Sequence, residues 1–99
     1  MIVRNEYRET VTGDNYIIRY ERGGDGIWRI FAEEHPDNGY DDAVTECHLY
    51  SSGEVCVDHS KFVPRELDQA KACAYLWMEG YSQYVRTGHF PTTGARVRV

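Results

Sequence analysis

The sequence predicts an α+β fold in two layers, an antiparallel meander of about four strands packed against one long C-terminal amphipathic helix. Three observations carry that prediction. Glycines and Asp-Asn pairs punctuate the first part of the chain at the spacing of a meander. Leu67, Ala70, Ala74, Trp77, Tyr81 and Tyr84 recur at intervals of three and four, which sets them on one helical stripe. The length, 99 residues, suits one domain with one core that needs no disulfide or metal staple.

Taken in order, residues 2–11 form the first strand candidate, closed by Thr12-Gly13-Asp14-Asn15. Tyr16-Ile17-Ile18-Arg19-Tyr20 is rich in strand formers and ends at Arg22-Gly23-Gly24-Asp25-Gly26. In the next run, residues 27–32, side-chain alternation puts Trp28, Ile30 and Ala32 on one face. An acidic loop over residues 33–42 follows, carrying Glu33, Glu34, Asp37, Asp41 and Asp42.

A second hairpin is expected, with residues 43–50 and 54–58 flanking Ser51-Ser52-Gly53. A two-residue loop would mix apolar and charged groups on one face. A three-residue loop, with Gly53 in the left-handed region, pairs Tyr50 with Glu54 and His48 with Cys56. It also gathers Cys47, Leu49, Val55 and Val57 on one apolar face, so it is the preferred register. Cys56 and His48 then become cross-strand neighbours on the opposite face.

The helix is expected over residues 64–87, with Pro64 in its first turn, Glu66 near the positive end of its dipole and Gly88 as its stop. Gly80 inside it costs about 1 kcal/mol relative to Ala, which predicts a close approach of the backbone to the sheet. In the tail, residues 89–99, Ala95, Val97 and Val99 alternate with Arg96 and Arg98. That is a strand pattern, free to extend the sheet, pair with a partner's edge or hang loose.

Composition narrows the function classes. Thirteen aromatics argue against disorder, and no apolar run is long enough to span a bilayer. No apolar stretch follows the first charges, so no signal peptide is expected. Three cysteines, Cys47, Cys56 and Cys73, make no disulfide framework and suit a reducing, cytoplasmic location. The net charge of −5 weighs against nucleic acid, although Arg86, Arg96 and Arg98 form a small basic set near the C-terminus.

The candidate chemistry is a thiol beside an imidazole. Cys56 and His48, brought together by the preferred register, are the minimum for a nucleophilic cysteine, because the imidazole generates or stabilises the thiolate. The string Gly53-Glu54-Val55-Cys56-Val57-Asp58 also resembles the active-site segment of ubiquitin-conjugating enzymes, a Gly-x-Ile/Val-Cys-Leu-Asp run that follows a His-Pro-Asn motif. The resemblance implies a thioester-forming role for Cys56, with His48 near the position of the motif's histidine. It departs where Leu49-Tyr50 replace Pro-Asn and where His48 stands two residues closer to the cysteine.

Cys47, His48, Cys56 and His59 are zinc-ligand types, but their spacing is not that of a structural zinc site, and the register sets the cysteines on opposite faces. The acidic loop lacks the order of a calcium loop, and its carboxylates read as a solvated surface able to recognise a basic partner. No nucleotide-binding, nucleophile-elbow or zinc-protease motif is present, and nothing points to a cofactor. The expectation is a non-enzymatic protein-binding or accessory module, using Glu33, Glu34, Asp37, Asp41 and Asp42 or the outer face of the sheet. The alternative is thiol chemistry, in group transfer or redox, at Cys56 assisted by His48.

Overall fold

The computed structural model describes residues 1–91. Three strands, β1 (Ile2–Arg8), β2 (Asn15–Arg22) and β3 (Trp28–Glu34), precede a short helical turn, α1 (Val44–Cys47), and a long helix, α2 (Leu67–Thr87). The strands form one antiparallel sheet in the order β1-β2-β3. Its inner face carries Tyr16, Ile18, Tyr20, Trp28, Ile30 and Ala32, all buried, so alternation decides which half of each strand meets the helix.

β1 is shorter than the sequence suggests, because a side chain ends it. The Glu9 carboxylate accepts the Thr12 amide and hydroxyl, each at 2.8 Å. Gly13, at φ +78°, then turns the chain and donates its amide to the Glu9 carbonyl. Asp14 receives the last ladder bond, from the Glu9 amide, at 2.8 Å.

The expected fourth strand does not form among the described residues. Its first half is α1 instead. The Asp41 carboxylate accepts the Ala43 amide at 2.9 Å, an Asx turn that starts the coil, and the Ala43 carbonyl takes the Glu46 and Cys47 amides. Once the chain reverses at His48, the expected register holds. Leu49 bridges Val55, the Cys56 amide donates to the His48 carbonyl at 2.9 Å, and Gly53 sits at φ +94°. Residues 53–55 then lie along β3, with the Ala32 amide bonded to the Gly53 carbonyl and the Val55 amide to that of Ile30, each at 2.8 Å. Isolated bridges therefore occupy the edge of β3 that a fourth strand would have taken.

α2 begins at Leu67 rather than at Pro64. Pro64 is buried outside the helix, where its carbonyl accepts the Trp28 amide at 2.9 Å and so ties the chain to the start of β3. Glu66 is the N-cap, in a reciprocal capping box with Gln69. At the other end Gly88, at φ +78°, closes the helix with its amide on the Tyr84 carbonyl.

The expected stripe packs inward: Ala70, Ala74, Trp77, Tyr81 and Tyr84 are buried, with Met78 and Ser82 beside them. Tyr16 reaches across from β2, its hydroxyl 2.6 Å from that of Ser82 and 3.1 Å from the Met78 carbonyl it donates to. Gly80 does mark a close approach, but to Phe90 rather than to the sheet: a Cβ there would collide with the Phe90 ring.

The alternation expected from Ala95 to Val99, with Arg96 and Arg98, lies outside the described residues. Among the described residues no helix is long and apolar enough to cross a membrane.

Candidate functional site

His48 and Cys56 come together as the register requires, through the backbone bond between them. His48 caps α1 at φ +59°, a left-handed conformation in which histidine is among the better-tolerated non-glycine residues. Its ring lies edge-on to Phe90, with centroids 4.5 Å apart. Burial draws its pKa below the ordinary value, with the nearby Glu46 carboxylate opposing the shift. The ring is packed against Phe90 and half-buried. The polar neighbour of the Cys56 thiol is the Tyr50 hydroxyl, whose pKa is raised first by its hydrogen bond with Cys56.

Cys56 and His48 stand on a wall between two concavities. One is an apolar cavity of about 180 Å³ lined by Val57, Cys73, Leu76, Trp77 and Phe90 as well as by the pair itself. The other is an open cleft of about 560 Å³ of mixed lining, bordered by Val44, Thr45, Tyr50, Asp58 and His59. A second apolar hollow of about 380 Å³ shares Val57, Cys73 and Leu76 with the first and adds Lys61, Phe62 and Ala72. The two apolar hollows adjoin at these shared residues as two halves of a divided trough between residues 57–62 and α2. Phe62 is 41% exposed at its lip.

The trough comes from residues off the main helical stripe. Leu76 and Cys73 flank the Trp77 row, and Phe62 and Phe90 lie in irregular chain before and after α2. A sequence signal for Leu76 existed in its position beside Trp77, whereas Phe62 and Phe90 carried none. Cys73 is half-buried, and burial raises its thiol pKa.

The acidic residues do not act as one cluster. Glu33 belongs to the outer face of the sheet, paired with Arg4 at 2.8 Å and Arg19 at 2.6 Å. Glu34 ends β3, exposed. Asp37, Asp41 and Asp42 lie exposed in a loop strapped over the C-terminal half of α2. The straps are aromatic: His35 meets Tyr81 edge-on at 5.3 Å, Tyr40 meets Tyr84 at 6.0 Å, and the Tyr84 hydroxyl donates to the Asp41 carbonyl. Tyr84 also approaches Phe90 at 6.5 Å, which sets this loop beside the Phe90 end of the trough.

Cys47 is buried, its thiol directed at the Asp42 and Leu49 carbonyls. Among the described residues no three metal-ligand side chains gather to hold an ion. Compared with protein-family models, with curated proteins and with solved structures, the chain gave no significant match. The likeness of Gly53–Asp58 to the ubiquitin-conjugating segment therefore rests on those residues alone.

Proposed function

We propose that the chain is a non-enzymatic protein-binding module whose trough receives an apolar side chain of a partner protein. The observation that supports this reading is the trough itself: two adjoining apolar hollows that share Val57, Cys73 and Leu76 and open at Phe62. Concave apolar surface of this kind takes an anchoring side chain and expels water. Asp37, Asp41 and Asp42 near the Phe90 end, and a net charge of −5, favour basic residues beside that anchor. Thiol chemistry at Cys56 fits less well, because the His48 ring packs on Phe90 and the pair is joined through the backbone.

The test is selection from a displayed peptide library, followed by fluorescence anisotropy on wild type and variants whose folding is checked by circular dichroism. Selected peptides should carry an aromatic or leucine anchor flanked by Lys or Arg. Leu76→Asp should weaken them by at least about tenfold, D41K/D42K should weaken them mainly at low salt, and Cys56→Ser should leave them unchanged. Peptides indifferent to Leu76→Asp would sink the reading, and loss of binding in Cys56→Ser would return attention to the thiol.

A further inference from the structure

Among the described residues the sheet leaves one edge open. β3 is covered on its outer side by the bridged residues 53–55 and by Pro64, whereas β1 carries β2 on one side and, among the described residues, no main-chain partner on the other. The ladder from Met1 to Glu9 fixes which groups are free. The Arg22 amide donates to the Met1 carbonyl and the Glu9 amide to that of Asp14, so odd-numbered β1 residues bond β2. The amides and carbonyls of Ile2, Arg4, Glu6 and Arg8 therefore point outward.

The only blunting device along β1 is charge, on Arg4, Glu6 and Arg8. Its seven residues pair with β2 without a bulge, contain no proline and turn no charge inward, since Val3, Asn5 and Tyr7 occupy the inner face. Edge charges keep unlike partners away, but mixed signs such as these can match across a two-fold axis. A row of outward-facing donors and acceptors of this length is a template for another strand.

We propose that β1 pairs antiparallel with β1 of a second copy, joining two three-stranded sheets into one. The choice of occupant rests on charge complementarity. Outward-bonding residues are even-numbered on both strands, so only registers that oppose even to even residues are allowed. The register centred on Asn5 uses all seven residues and sets Arg4 opposite the partner subunit's Glu6, with the same pair repeated by the two-fold axis. Shifting the centre by one residue, to Arg4 or to Glu6, brings like charges face to face on the axis. On the inner side the chosen register sets Val3 against the partner subunit's Tyr7. Glu6 has no ion-pair partner among the described residues, and Arg4, 61% exposed at its side chain, can serve both Glu33 and a second carboxylate.

The test is sedimentation of the full chain over a range of concentrations as wild type, Glu6→Arg, Arg4→Glu and the equimolar mixture of the two variants. Each variant alone places like charges opposite one another in both symmetric pairs, so self-association should weaken by about tenfold or more. The mixture restores Arg opposite Glu at one pair and exchanges the signs at the other, so it should associate about as tightly as wild type. A monomeric wild type would overturn the proposal. So would association that neither variant weakens, as expected of a dimer built elsewhere, or a mixture no tighter than its components. If a variant fails to fold, hydrogen exchange on wild type decides: protection of the Arg4 and Glu6 amides should rise with concentration, and constant exchange would refute the pairing.

Discussion

His48 sits at φ +59° with its ring against Phe90, and Phe90 lies over the bare backbone of Gly80. The three residues come from different parts of the chain and form one contact. Replacing Gly80 with Ala gains about 1 kcal/mol of helix propensity, but the new methyl must displace the Phe90 ring. The ring is the movable end of a half-buried side chain, so the two effects offset and global stability should change little. The local effect is larger. His48 is held below its ordinary pKa chiefly by burial, and losing the Phe90 cover lets water reach the imidazole, so the pKa should rise toward 6.5. A histidine titration followed by NMR in wild type and Gly80→Ala checks this, and an unmoved His48 would show that its burial comes from elsewhere.

At the scale of the elements, the bond between the start of β2 and the end of α2 is a charged one. Arg86 holds Asp14 through two hydrogen bonds, at 2.6 and 2.9 Å, and Ser82 adds to them, so the Asp14 carboxyl falls from 3.8 to about 2. A depressed carboxyl stabilises the fold fully above its unfolded pKa, near 4, and loses that contribution as pH falls through about 2. The arginine end is half-exposed and screened, which reduces the contribution to about 1 kcal/mol. Asp14→Asn should therefore cost about that much at neutral pH and almost nothing below pH 2, as measured by urea unfolding at both. The helix it secures was legible from residues at three- and four-residue spacing, because one buried stripe must face one sheet. The start of that helix was not, because Pro64 satisfies a strand amide instead of opening a turn.

For the molecule as a whole, the three cysteines report on different depths. Cys47 lies in the core, Cys73 on the trough wall and Cys56 between the trough and the open cleft. Alkylation of the native protein should mark Cys56 first, Cys73 more slowly because burial raises its thiol pKa, and Cys47 only on unfolding. Mass spectrometry of a time course separates them. Equal rates at all three sites would mean that the bridged segment opens as a unit, and with it the trough. An apolar peptide bound in the trough should slow Cys56 and Cys73 together, which ties this measurement to the proposed binding role.

Local pattern in the sequence settled the α+β class, the shared face of Trp28, Ile30 and Ala32 in β3, the buried stripe of α2 and the register that joins His48 to Cys56. Each follows from local rules: alternation in strands, periodicity in helices and the glycine a three-residue loop needs at a positive φ. Tertiary structure decided what local pattern leaves degenerate. Residues 43–47 read as the first half of a strand, yet they coil, because Asp41 starts a turn and the carbonyl of Cys47 accepts the Trp77 indole N–H at 3.2 Å. Glu33 looks like the first acid of a loop and is an ion-pair partner across the sheet. The trough depends on residues from separate segments, Phe90 beside Leu76 in one hollow and Phe62 beside Leu76 in the other, and only the packed chain brings them to one surface.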